Sequence, residues 1–185
     1  MKKIRVLLLM VLAATAVEGQ VYFTKSAKID FDATSPSSPE KVKGKNRTGV
    51  CVLDTKTGAI QFSVLMKGFE FDRALMQEHF NENYVETSKF PKSEFRGNIA
   101  GNDKIDYTRD GKYKVQVSGS LTIHGETKTV NTDGELKVDN GKIKLEANFS
   151  VLLSDYKISI PGLVADKVNK TASIEVDASL EPLKK

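Results

Sequence analysis

The chain has 185 residues, 39% of them hydrophobic, a formal net charge of +4 and a single cysteine. That charge is too small to point to nucleic acid as a partner, and one cysteine leaves no intramolecular disulfide framework. The length suffices for one domain with its own core.

Lys2, Lys3 and Arg5, an apolar run over 6–14 and small residues before Gln20 have the layout of a secretory signal peptide. Cleavage is expected after Gly19, with Ala16 as the alternative, leaving residues 20–185 as the domain and a net charge of +2. The apolar run is too short for a comfortable membrane anchor. No cysteine follows it to carry a lipid, so the expected location is periplasmic or secreted. A domain exported without disulfides must draw its stability from its core.

Val21–Phe23 and Ile29–Phe31 read as short strand-like pieces separated by lysines, and Ser35-Pro-Ser-Ser-Pro39 as a loop. Lys41, Lys43, Lys45 and Arg47 would share one face of a strand. They read as a solvated face that deters edge-to-edge pairing, with docking to anionic headgroups as the alternative. Cys51, inside Val-Cys-Val-Leu, reads as a small buried apolar group. Asp54–Gly58 is a turn, and Gly58–Lys67 is the first long strand, with Ile60, Phe62, Val64 and Met66 on one face.

Residues 69–97 break this pattern. Phe71, Leu75, Met76, Phe80 and Tyr84 form a helical apolar stripe with Asp72 as the expected N-cap, followed by a turn at Phe90-Pro91. Alternation then resumes. Phe95, Gly97 and Ile99 share a face, as do Tyr113, Val115, Val117, Leu121 and Ile123. Val130, Leu136 and Val138 follow, then Ile143, Leu145, Ala147, Phe149, Val151 and Leu153, and finally Ile174, Val176, Ala178 and Leu180. Asn140-Gly141 and Asp110-Gly111 read as hairpin turns.

About eight strands with one apolar and one wet face predict an all-β, antiparallel sheet. A sheet this long closes into a barrel or splits into a sandwich. The last strand is expected to pair with an early one and remove the free edges. The helix and loop are expected near one end, at or near an entrance.

Catalytic chemistry is poorly represented. His79 and His124 lie far apart without metal-ligand spacing, and no nucleophile elbow, phosphate loop or dinucleotide glycine pattern is present. His124 falls on the polar register and reads as a surface or strand-end residue. Catalytic residues, metals and cofactors are therefore expected to be none. Asn46, Asn148 and Asn169 begin Asn-x-Ser/Thr patterns, which matter only in a eukaryotic secretory route.

Three segments carry a family resemblance: His79-Phe80 with Phe90-Pro91-Lys-Ser-Glu-Phe95; Gly119-Ser-Leu-Thr-Ile-His-Gly125 with Thr127-Lys128; and Phe149–Ile160 with Asp155-Tyr156. Through them the chain resembles the YceI-like, polyisoprenoid-binding family of exported bacterial proteins with a lipocalin-like barrel. The Arg-Asp pair of the family's usual Arg-Asp-x-His-Leu is replaced here by Met76-Gln77, before Glu78 and His79. The resemblance implies a carrier or store for an isoprenoid or other long apolar lipid, such as a quinone. The expected ligand-binding residues are Phe62, Val64, Phe71, Met76, His79, Phe80, Phe95, Val117, Phe149 and Val151. A homodimer and transient contact with a membrane surface stay open, nucleic acid does not. The competing reading is a ligand-free structural or interaction module of the cell envelope whose barrel is simply packed.

Overall fold

The computed structural model describes residues 20–183; the expected signal peptide lies outside them. Eight antiparallel strands follow one another around a closed barrel: β1 Val21–Thr34, β2 Lys43–Asp54, β3 Ala59–Leu65, β4 Lys92–Ile99, β5 Gly111–Ile123, β6 Glu126–Asp139, β7 Lys142–Leu152 and β8 Val168–Pro182. β8 pairs with β1 from Tyr22↔Pro182 to Thr34↔Val168, so the sheet closes on itself. The expected closure is observed, and a barrel rather than a sandwich is the outcome.

Alternation decides which side chains point inward, and the structure follows it with local exceptions. The two early strand-like pieces are one 14-residue strand. Register shifts between Thr24 and Ala27 and between Ala27 and Ile29 interrupt its pairing with β2. Tyr22 and Thr24 are buried before the irregularity; Ala27, Ile29 and Ala33 are buried after it. A bulge moves the inward set from even to odd positions, which is why the lysine-rich middle looked like a break.

Two residues in the left-handed region, Asn140 (φ 50°) and Gly141 (φ 73°), make the β6–β7 turn as expected. Asp110-Gly111 does not make a hairpin turn: Gly111 is the first residue of β5, and the longer loop 100–110 precedes it. The other tight hairpin turn is His124-Gly125, with φ of 51° and 76°. β2 is no edge strand. Its outward cations meet β1 carboxylates, Lys43 with Asp32 at 2.8 Å and Arg47 with Asp30 in a two-pronged pair whose Nη2–Oδ2 arm is 3.0 Å. Exposed pairs of this kind add little stability; they satisfy a wet outer face.

The loops at 55–58, 100–110 and 140–141 gather at one end, called the floor here. The segments 35–42, 66–91, 124–125 and 153–167 gather at the other. The floor half is solid. Leu53, Leu136, Ile143 and Leu180 are fully buried there with Cys51 and Ala178. Burial pushes the Cys51 thiol far above its ordinary value, in keeping with the expected role as a small apolar group.

Candidate functional site: an apolar cavity under an aromatic lid

Above this floor the barrel is hollow. A cavity of about 230 Å³ is lined almost wholly by apolar side chains. Phe62 and Val64 of β3, Phe95 of β4, Val117 of β5, and Phe149 and Val151 of β7 all face it. So do Phe71, Met76 and Phe80 of the insertion. His79 does not: it is exposed at the end of the helix and is not among the cavity-lining residues. A helix over a barrel mouth can turn only part of its circumference inward, and His79 sits beside the inward Met76–Phe80 stripe.

The insertion is shorter and less regular than its apolar periodicity suggests. The helix α1 covers only Ala74–His79, and one π-helical turn, Phe80–Tyr84, follows it. The N-cap is Arg73, with no side-chain cap, so Asp72 does not fill that role. Leu75 points outward at 62% exposure, while Met76, Phe80 and Tyr84 line the cavity. Phe80 and Tyr84, four residues apart, stay on one face through the π turn, so the inward stripe from Met76 to Tyr84 is kept.

Beneath the helix lies a cluster of phenylalanines. Phe80 stacks on Phe31 at 5.5 Å between ring centres, and tilts against Phe71 at 4.9 Å and Phe69 at 5.5 Å. Gly44 of β2, opposite Phe31, makes the room: a Cβ there would collide with the Phe31 ring and stand 3.0 Å from Phe71 Cζ. The insertion is also stitched to β2. Lys45 and Glu70 exchange backbone hydrogen bonds of 3.0 and 2.8 Å. Buried Asn46 donates to the Leu65 carbonyl at 2.9 Å.

The far side of the lid is held by His124. Its Nε2 lies 2.8 Å from Glu86 Oε2, and its Nδ1 lies 3.0 Å from the Tyr156 carbonyl oxygen. The imidazole thus bridges the Glu86 side chain and the Tyr156 backbone. Phe90 packs edge-on against the imidazole at 4.4 Å. A Cβ at Gly125 would lie 2.6 Å from the Phe90 ring. His124 is thus at a strand end, as its register suggested, but its side chain is only 10% exposed; a surface role is excluded. Nothing local in the sequence couples positions 86, 124 and 156, which meet only through the fold.

The His124 hydrogen bond, and then the nearby Lys89 charge, hold the Glu86 carboxyl below its ordinary value. A carboxyl lowered in the folded state contributes stability above its unfolded pKa and loses it as pH falls through the folded value. Glu86→Gln should therefore melt at a lower temperature than the parent at pH 7. The difference should shrink as pH falls below the usual glutamate range. Circular dichroism melts of both proteins between pH 7 and pH 3 check this; a gap that stays constant with pH would contradict it.

A family model described as the YceI-like domain matches residues 10–180. The chain belongs to the YceI-like family. Solved structures agree on the fold. A polyisoprenoid binding domain from Saccharophagus degradans, implicated in plant cell wall breakdown, superposes with a TM-score of 0.76 at 12% identity, over 90% of this chain and 100% of that one. BcnA of Burkholderia cenocepacia gives 0.66 at 15% identity, covering 83% and 95%. The YCEI protein of Campylobacter jejuni gives 0.58 at 20% identity, covering 79% and 87%. No curated protein matches the chain.

In this YceI-like barrel, Phe31, Phe69, Val130, Tyr156 and Ile158 also face the cavity without having been singled out. Phe31 was hidden by the β1 bulge, and Phe69 sits just before the insertion's helical stripe. Tyr156 and Ile158 lie in a loop where no periodicity marks a side. Among the described residues no group of three or more His, Cys, Asp and Glu is placed to hold a metal ion.

Proposed function

We propose that this YceI-like protein is an exported carrier that sequesters an isoprenoid-tailed apolar molecule, of the lipoquinone kind, inside the upper barrel. The observation that carries this reading is a hollow, hydrocarbon-walled space above a floor that is already fully packed. A barrel built only for stability gains by filling such a space. A hydrocarbon chain gains about 0.8 kcal/mol for each CH₂ it buries and needs no precisely placed polar partner. That suits a lining whose chemistry is its shape. The likeness to a polyisoprenoid binding domain supports the same ligand class. The leader-like first 19 residues support export.

The lining residues Phe62, Val64, Phe71, Met76, Phe80, Phe95, Val117, Phe149 and Val151 would hold the tail, with the 69–97 segment acting as its cover. Mass spectrometry of organic extracts from protein purified from its native host should show a long-chain apolar lipid near one per protein. Repeated extracts without any lipid would sink the carrier reading.

A further inference from the structure

The wall of the barrel is not continuous. The β6–β7 ladder runs from Asp139↔Lys142 to Gly134↔Ala147 and stops, although β6 continues back to Glu126 and β7 forward to Leu152. Each bank remains paired on its other side, β6 with β5 as far as Ile123↔Glu126 and β7 with β8 as far as Leu152↔Thr171. Residues 127–133 of β6 therefore face a gap roughly 24 Å long, at about 3.4 Å per residue.

The β2–β3 ladder also stops early, at Val50↔Ser63, but there the chain at 66–70 fills the space through Lys45–Glu70 and Asn46–Leu65. Between β6 and β7, among the described residues, the bridge is a long hydrogen bond of 3.4 Å from Thr132 Oγ1 to the Asn148 carbonyl. The gap is braced at its upper end by Lys157–Glu126 at 2.6 Å and by His124 on Tyr156. Val130 and Thr132 on one bank and Phe149 and Val151 on the other line the cavity, so the slit leads into it.

Lys128 occupies the inward register of β6, opposite buried Leu121 and two residues before Val130. It is exposed and forms no ion pair among the described residues. Glu126, the other inward-register charge on this stretch, is already taken by Lys157. The lower end of the slit is acidic, with Asp133, Glu146 and Glu175 around a depression that shares Gly134 and Ala147 with the cavity.

We propose that the β6–β7 slit seats the head of the bound lipid, that Lys128 receives it, and that the head is anionic, a phosphate or a carboxylate. This rests on the carrier reading for the isoprenoid tail and replaces its neutral, quinone-like head with an acidic one. The tail lies in the cavity and the head sits in the slit's upper part, beside an ammonium group that forms no ion pair among the described residues, although the Glu126 carboxylate is near enough to feel its charge. The carboxylates below repel an anion and set its direction. A charge-assisted hydrogen bond to a head that stays at the water boundary adds affinity without the cost of burying a charge.

The test compares geranylgeranyl phosphate, geranylgeranoic acid and geranylgeraniol, three ligands with one tail, by isothermal titration below their aggregation limits. The parent protein should bind at least one of the two acids tenfold or more tightly than the alcohol, and the better acid identifies the head. Lys128→Met should bring that ratio close to one with alcohol affinity unchanged, and Lys128→Arg should retain it. Lys170→Met, which removes another mouth-end cation, should leave the preference intact. Equal binding of acids and alcohol by the parent would overturn the proposal, as would loss of the preference in Lys170→Met; the carrier reading survives either result. If none of the three ligands binds, the carrier reading itself fails.

Discussion

Leu136→Ala should lower the unfolding free energy by about 3–4 kcal/mol, whereas Phe149→Ala should lower it by only about 1 kcal/mol. The larger side chain gives the smaller loss because of what surrounds each. Leu136 has no exposed surface and sits in the floor with Leu53, Ile143 and Leu180. Its removal costs both the transfer of the missing atoms and a new void that close-packed neighbours cannot fill. Phe149 already borders open space, so truncation enlarges an existing cavity and forfeits contacts on one side only. Urea titrations followed by circular dichroism measure both. A Phe149→Ala loss as large as that of Leu136→Ala would mean that the barrel is filled, the condition required by the packed-module alternative. On the carrier reading Phe149→Ala instead weakens lipid retention.

Gly119→Ala should destabilise the protein by about 2–3 kcal/mol, although it adds a single methyl group. Gly119 of β5 is paired with Gly97 of β4, and both lie in the inward register beside Phe95. A Cβ at Gly119 would lie 2.6 Å from Gly97 Cα and 2.7 Å from Phe95 Cζ, and would also strike the Arg96 carbonyl oxygen. Two of these three obstacles are backbone, so relief requires β4 and β5 to separate. The missing side chains let the Phe95 ring lie over the glycine pair, and they let two strands approach where the wall curves. Gly162→Ala is the matching control, since it has open space around its Cβ position and should leave stability within about 0.5 kcal/mol. An equal effect at both sites would show that general loss of glycine flexibility, rather than contact at the strand pair, governs the response.

The barrel was legible because period-two alternation is a strong signal where one face is apolar. Ile143 to Val151 and Ile174 to Leu180 mark their inward faces without ambiguity, and most of the cavity wall follows from them. The signal fails where backbone geometry changes parity. The β1 bulge hid Phe31. Leu75 belonged to the apolar stripe by spacing yet ends at the surface, because a six-residue helix lying over a mouth has only one covered side. His79 was drawn into the expected lining by family likeness, and its own register gives it no cavity contact. His124 carries the longer-range role, but that role needs Glu86 and Tyr156, which no local pattern joins to it. The β6–β7 slit left no trace in hydropathy at all, because both banks keep alternating while their hydrogen bonding ceases.

The sequential strand order has a consequence for how the molecule assembles. Each ladder except β1–β8 joins neighbours in the chain, so hairpins and three-stranded meanders can form from contacts close in sequence. Closure alone must bring Val21–Thr34 against Val168–Pro182, across nearly the whole domain. That step carries the largest loop-closure entropy and should come late. Until then β1 and the growing sheet present two unsatisfied edges to any neighbouring chain, and the final fifteen-residue strand is what shuts both at once.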